Sequence, residues 1–152
     1  MKPDAAAVFA LLAEYGALID EAKFDEWLCL FAAECRYQIV PRENFDRGLP
    51  APLVFCDSRA MLEDRICALR EANKYNIHTD RHVIGLPRIF DTGPAIEAPF
   101  VVYQTDQEGE TRLFATGLYR DRLEAAGQHL KIREKLILLD TFAVPSLLAT
   151  PL

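Results

Sequence analysis

Residues 57–89 read DSRAMLEDRICALREANKYNIHTDRHVIGLPRI and predict one helix followed by one strand. Asp57 or Ser58 suits the N-cap, because a short polar side chain can accept hydrogen bonds from the first free amides of a helix. The helix is expected to end near Lys74, before the polar connector at residues 73–80. The strand is expected at residues 81–90, and the chain enters it through the segment TDRH at 79–82. The apolar residues that repeat at helical spacing, and so form the predicted buried face, are Met61, Leu62, Ile66 and Leu69.

Two further helices and a strand are predicted before this stretch. Residues 4–19 place apolar side chains on one helix face, and Asp4 suits the N-cap. Residues 36–40 alternate like a strand that ends at Pro41. Residues 41–55 contain three prolines and predict an irregular loop that closes with a short strand at 53–55. The second helix is indicated by an apolar stripe at helical spacing, which favours core packing: Phe24, Trp27, Leu28 and Phe31.

The second half of the sequence predicts strands joined by hairpins. Strands are expected at residues 100–105, 112–123 and 129–140, with turns at DQEGE and EAAGQ. Gly117 in the middle of a strand predicts a bulge or a sharp bend. Lys131, Arg133 and Lys135 alternate along the last strand, which indicates one basic face that is either solvated or a polar protein–protein surface. Helices grouped before a meander of strands indicate an α+β fold, in one domain at residues 1–152.

Composition limits the possible partners and the compartment. The formal net charge is −6, which argues against nucleic acid or an anionic membrane as the main partner. The four cysteines form no C-x-x-C pair, and we expect them to be buried and reduced. No stretch approaches the ~20 apolar residues of a membrane span, so a cytoplasmic protein is expected.

The same stretch, with several later segments, resembles the small (beta) subunit of the Rieske-type aromatic-ring-hydroxylating dioxygenases. The likeness extends over nearly the whole chain, and it is weakest at the hairpin tips and at residues 91–99. The residues that carry it are Asp57, Met61, Leu62, 64–66 (DRI), 68–73 (ALREAN), Tyr75, His78, Arg81, His82, 85–87 (GLP), Phe114, Ala115, Gly117, Tyr119, the last strand and 151–152 (PL).

The resemblance implies a fold and an assembly. The fold would be the cone of nuclear-transport-factor-2-like (cystatin-like) proteins, a strongly curved antiparallel sheet wrapped by the three helices of the N-terminal half. Three copies of the small chain would form a base for three catalytic large (alpha) subunits and would hold them in register. That register would matter because electrons would cross between neighbouring large subunits. The holoenzyme would convert an aromatic acid such as terephthalate into a cis-dihydrodiol.

The metal centres of such an enzyme cannot both lie in this chain. A Rieske 2Fe–2S cluster takes two Cys and two His ligands, and the mononuclear Fe(II) takes two more His and a carboxylate. The sequence has three histidines, His78, His82 and His129. Both centres are therefore expected in the large subunit, with NAD(P)H serving through a separate reductase. This chain is expected to hold no cofactor and no catalytic residue.

Two alternatives stay open. His78, Asp80 and His82 are two residues apart, so on a strand they would share a face and could bind one metal ion. Asp80 and His82 could instead be the acid–base pair of a free-standing cone-fold isomerase or dehydratase. A non-catalytic cone that binds a small ligand is a further possibility. We predict that five polar groups stabilise the fold or a subunit interface: Arg65, Arg81, His82, Tyr119 and Asp121.

Overall fold

The computed structural model describes residues 2–49, 51–72, 77–140 and 148–152. Helices and strands follow one another in an order that confirms the predicted α+β class. The helices are α1 (Ala5–Asp20), α2 (Phe24–Leu28), α3 (Arg42–Asp46) and α4 (Arg59–Ala72). The strands are β1 (Phe31–Pro41), β2 (Val54–Cys56), β3 (Thr79–Ile84), β4 (Arg88–Ile89), β5 (Ala95–Thr105), β6 (Thr111–Ala126) and β7 (His129–Leu139).

The caps of the two long helices match the sequence. The Asp4 carboxylate accepts a hydrogen bond from the Ala7 amide at 2.9 Å, and the Ser58 hydroxyl accepts one from the Met61 amide at 3.2 Å. Leu62, Ile66 and Leu69 form the buried face of α4, but Met61 is 44% exposed, so its predicted burial was wrong. Leu62, the next residue in the same turn, is 1% exposed, so Met61 lies on the outward side of the helix. The predicted helix end near Lys74 lies outside the described residues.

Several boundaries differ from the prediction, and β1 and β5 each begin five residues earlier than expected, at Phe31 and Ala95. The α2 helix ends at Leu28, and Phe31 begins β1 while remaining buried, because a core aromatic suits either element. The loop at residues 41–55 contains the short helix α3, and its closing strand runs from Val54 to Cys56. The strand expected at residues 81–90 is divided into β3 and β4.

One continuous sheet carries the fold, with the strand order β2-β1-β7-β6-β5-β3, and β4 pairs with β5 beside β3. All pairings among the described strands are antiparallel except that of β1 with β7. A parallel pair needs a long crossover, and here most of the chain lies between the two strands. The ends of the sheet are therefore β2 on one side and β3 on the other.

Gly117 serves a close approach between strands. A Cβ atom at this position would lie 1.9 Å from the carbonyl oxygen of Leu138. The register shifts of β6 lie elsewhere, opposite Val102/Tyr103 and at Arg122/Leu123. The predicted bulge therefore exists in this strand but not at its glycine. The tight turn expected at DQEGE is confirmed, with Gly109 at a φ of 86°.

The core lies between the inner face of the sheet and helices α1, α2 and α4. None of the described helices is long and apolar enough to cross a membrane. Aromatic rings fill much of the space between the layers, and edge-on or tilted ring contacts join several of them. The largest fully buried aromatic side chains are Tyr15, Trp27, Phe31, Tyr37, Phe100 and Tyr119.

Candidate functional site

A buried ion pair lies at the centre of the cone. The Lys135 ammonium on β7 lies 2.9 Å from the Asp121 carboxylate on β6, and neither side chain is exposed. The same ammonium lies 3.5 Å from the ring centroid of Tyr119 and 4.0 Å from that of Tyr15. Two aromatic faces and one carboxylate therefore replace the hydration shell that surrounds the ammonium group of an exposed lysine.

A bulge explains how a lysine of the last strand comes to face the core. The β6–β7 register shifts between Arg122 and Leu123, so that Asp121 lies opposite Lys135 on the inner side. Lys135 therefore does not share a basic face with Lys131 and Arg133, and the prediction of one continuous basic face was wrong. Lys131 instead donates a hydrogen bond to the carbonyl of Cys29.

Burial dominates the electrostatics of this interior. It lowers the pKa of Lys135 and raises that of Asp121, while the charge of each partner opposes the shift of the other. Burial also raises the pKa of Tyr119 and of Tyr15 well above the ordinary value. Tyr119 stacks on Phe100 with ring centroids 4.2 Å apart. Of the predicted polar groups, Tyr119 and Asp121 are thus neighbours inside the core.

A second buried pair joins helix α1 to the edge of the sheet. One carboxylate oxygen of Asp20 lies 2.6 Å from Nδ1 of His82, and the other accepts a hydrogen bond from the His82 amide at 2.9 Å. The His82 side chain is not exposed. Gly16 allows this approach, because its Cα hydrogens lie against the Cβ of His82. Asp20 was not among the predicted residues, since 62 positions separate it from His82 and no local pattern links them.

The two alternatives based on the TDRH segment do not fit this geometry. Asp80 and His82 both face inward, but Asp80 lies 3.4 Å from Nε2 of His78, whereas His82 binds Asp20. The hypothesis of an Asp80–His82 acid–base pair is therefore not supported. Burial raises the pKa of Asp80, against the opposing effect of His78 and His82. Within the described ranges, no three His, Cys, Asp or Glu side chains lie together in a way that could hold a metal ion.

Arg65 fixes the last described segment of the chain to helix α4. Its guanidinium donates a hydrogen bond to the carbonyl of Leu148 at 2.8 Å. Further along, the hydroxyl of Tyr15 donates to the carbonyl of Leu152 at 2.5 Å, and the amide of Leu152 donates to the Tyr37 hydroxyl at 3.0 Å. Leu152 is 1% exposed and packs in the core. Leu152 thus fills part of the interior beside Tyr15 and Tyr37.

Arg81 differs from the other predicted residues because its side chain is 74% exposed. It lies on the outer side of β3, and its guanidinium is 4.0 Å from the Asp20 carboxylate. Beside it, an open groove of about 340 Å³ runs between α1 and β3, with Asp20 and Arg81 among its lining residues. The imidazole of His82 is covered, so a molecule in this groove would meet Arg81 first.

The cysteines divide into two kinds. All four are free thiols, and Cys35 and Cys56 are buried as expected, with the pKa of each raised by burial. Cys29 and Cys67 are exposed, so their predicted burial was wrong. Neither lies on an element face that the sheet covers.

Three comparisons with known proteins show the family. A sequence model described as "Ring hydroxylating beta subunit" matches residues 16–146. The chain is 38% identical to the terephthalate 1,2-dioxygenase terminal oxygenase component subunit beta 2 of Comamonas sp, covering 95% of this chain and 96% of that protein. It is 36% identical to the anthranilate 1,2-dioxygenase small subunit of Burkholderia cepacia, covering 95% and 92%.

A solved structure agrees. The beta subunit of a proposed aromatic-ring-hydroxylating dioxygenase from Novosphingobium aromaticivorans superposes with a TM-score of 0.87 at 39% identity, covering 97% of this chain and 96% of that chain. The fold is therefore the nuclear-transport-factor-2-like cone. The chain belongs to the family of ring-hydroxylating dioxygenase beta subunits, which are the small subunits of the oxygenase component, and the family predicted from the sequence is confirmed.

Proposed function

We propose that three copies of this small subunit form the base of a hexamer and hold three catalytic large subunits in register. The observation that supports the proposal is that three charged or titratable side chains of the cone are held by partners within the same chain. Asp121 holds Lys135, Asp20 holds His82, and Arg65 holds the backbone at Leu148. A domain in which these polar side chains are already bound is suited to fix the positions of neighbouring subunits in an assembly.

The residues of this chain do not fit the metal centres of the reaction. Two of its three histidines, His78 and His82, lie beside Asp80 and Asp20. The Rieske cluster and the mononuclear iron therefore belong to the large subunit in this proposal, and a separate reductase delivers electrons from NAD(P)H. The work of the small chain is to fix the distance and orientation between neighbouring large subunits.

The substrate class follows from the relatives. Terephthalate and anthranilate are both carboxylated benzene rings, and subunits of enzymes named for them are 38% and 36% identical to this chain. We propose an aromatic acid, with terephthalate as the leading candidate, and a cis-dihydrodiol as the product. The four free thiols fit a reducing compartment, which supports a cytoplasmic location.

Native mass spectrometry tests this function. The chain is purified from its own host under mild conditions, and iron is quantified on the same sample. We expect a hexamer of three small and three large chains, with iron and acid-labile sulfide assigned to the large chain. A metal-free monomer or dimer with no larger partner would contradict the proposal.

The exposed guanidinium of Arg81 gives a sharper prediction. Arg81→Ala is expected to shift the hexamer toward free subunits at micromolar concentration, without changing the iron content of the large chain. The reason is that Arg81 lies on the outside of the cone, where a neighbour can reach it. Arg47→Ala, which removes another exposed arginine that pairs with Glu43 on α3, is the matched control. A hexamer of normal mass and stability with Arg81→Ala would refute the interface role.

A further inference from the structure

Exposed apolar side chains form a patch beside the β3 end of the sheet. Val83 is 52% exposed, Tyr103 is 42% and Leu113 is 52%. Val83 alternates along β3 with inward-facing His82, so it points to the outer face. Tyr103 on β5 lies directly opposite Leu113 on β6, and it is a diagonal neighbour of Val83. We call these three residues the β3-edge patch.

A different patch lies at the other end of the sheet. Leu53 is 47% exposed, Phe55 is 45% and Met61 is 44%. Leu53 and Phe55 are two residues apart at the edge strand β2, where the Leu53 amide donates to the carbonyl of Ile39 at 2.8 Å. Met61 lies next to the end of that strand, because its sulfur accepts from the Asp57 amide at 3.4 Å. We call these three residues the β2-edge patch.

Each patch has an exposed charged side chain beside it, and these two charges are opposite in sign. Arg81 adjoins the β3-edge patch and is mostly exposed, with Asp20 4.0 Å away. Asp64 is exposed one helical turn from Met61, and it forms no ion pair with any residue that the structure describes. An arginine beside one patch and a carboxylate beside the other are complementary between two copies of the chain, but they cannot meet within one copy.

The backbone of β3 limits how a neighbour can approach. In an edge strand the outward amides are free to pair with another strand. Here the His82 amide is already bonded to Asp20, so strand addition at that point would break a buried contact. At this point of the edge, contact is therefore expected from side chains of the outer face, which is where the β3-edge patch lies.

We propose that the β3-edge patch of one copy docks on the β2-edge patch of the next copy, with Arg81 facing Asp64. Two unlike patches on one chain make a head-to-tail contact, and repetition of such a contact closes a ring when the rotation allows it. The number of copies in the ring, three, rests on the proposed function. Burial of six large apolar side chains supplies the affinity, because removing apolar surface from water is favourable.

Complementation between two defective chains tests the head-to-tail contact. Val83→Glu removes only the β3-edge patch, and Phe55→Glu removes only the β2-edge patch. Both positions are about half exposed, so each variant should keep its unfolding midpoint within a few degrees. Each variant alone is expected to give monomers by native mass spectrometry. A mixture is expected to give a one-to-one dimer, because a single intact pair of patches remains.

Other arrangements of the contact would give different masses in native mass spectrometry. If the contact were symmetric through one patch, only one variant would dissociate, and the proposal would be wrong. If Val83→Glu kept the small-chain trimer but released the large chain, the patch would face the large chain, and the proposal would again be wrong. Failure of the wild-type chain to form a trimer, alone or with its co-purifying large chain, would count instead against the proposed function.

Charge reversal tests the Arg81–Asp64 contact. Arg81→Asp and Asp64→Arg are each expected to raise the dissociation constant of the ring about fivefold, the scale of an exposed ion pair. The double variant restores the pair with its signs exchanged at every contact, so its dissociation constant should fall below that of either single variant. A double variant that is weaker than both single variants would show that the two side chains do not meet.

Discussion

Two buried carboxylates of this cone hold nitrogen-bearing side chains at similar distances, yet they stabilise different parts of the molecule. Asp121 and Lys135 lie 14 residues apart on neighbouring strands and are enclosed by aromatic rings. Asp20 and His82 lie 62 residues apart and connect the end of a helix to the edge of the sheet. The first pair fixes the interior of the sheet. The second fixes where helix α1 meets β3, and so sets the position of Arg81.

The largest expected effect comes from breaking the interior pair. Lys135→Met leaves the Asp121 carboxylate buried without a partner, and such a change typically costs about 3–5 kcal/mol. We expect a loss of that size in the free energy of unfolding, measured by urea denaturation. The aromatic faces of Tyr15 and Tyr119 cannot compensate, because they attract a cation and not an anion.

The double variant separates charge from packing. Lys135→Met with Asp121→Leu removes both charges and leaves apolar side chains of comparable shape, so most of the lost stability should return. A double variant that is as unstable as Lys135→Met alone would show that the site depends on the pair itself, for example to hold the strand register at the Arg122/Leu123 bulge. Hydrogen exchange of the β6–β7 amides would then locate the change.

Breaking the edge pair is expected to cost less. Asp20→Ala leaves the His82 amide and its imidazole without their acceptor, and an unsatisfied buried donor typically costs about 1–3 kcal/mol. Because the pair positions β3, the same variant should also weaken assembly, measured by native mass spectrometry. Asp25→Ala is the matched control. It removes an 80% exposed partner of Arg70, and a solvent-exposed pair of this kind contributes little to stability.

The sequence predicts those features of this protein that depend on neighbouring residues or on matches spread along the chain. Helices α1, α2 and α4, the hairpins and the caps at Asp4 and Ser58 could be predicted, because they depend on residues within a few positions of one another. The family could also be recognised, because its matching residues are spread along the chain. Arg65, Tyr119 and Asp121 were predicted as polar groups, but their partners were not identified.

The missing partners have two physical causes, and both lie outside the local sequence pattern. Strand alternation assigned Lys135 to the outer face, and only the bulge at Arg122/Leu123 moves it inward. A bulge moves the side chain of every later residue in the strand to the opposite face of the sheet. No residue type reliably indicates where a bulge occurs. Asp20 has no signal of its own, because its contact with His82 depends on how helix α1 lies across β3.

The smallest expected effect is a change in the free energy of unfolding with pH. It comes from Tyr119 in the interior of the cone. Burial raises the pKa of Tyr119 well above its ordinary value of 10.0. Above pH 10 the unfolded chain therefore releases this proton while the folded chain keeps it. The stabilisation is complete below pH 10 and declines as the pH rises further, by about 1.4 kcal/mol for each pH unit.

Tyr119→Phe isolates this contribution, because the Tyr119 hydroxyl has no hydrogen-bond partner among the described residues. The variant should unfold with nearly the wild-type free energy at pH 8 and should lose stability less steeply between pH 10 and 11. Tyr103→Phe, which removes a hydroxyl from the outer face, controls for the loss of a tyrosine as such. Equal slopes for Tyr119→Phe and the wild type would mean that water reaches the Tyr119 hydroxyl, and the interior would then be less closed than the edge at His82.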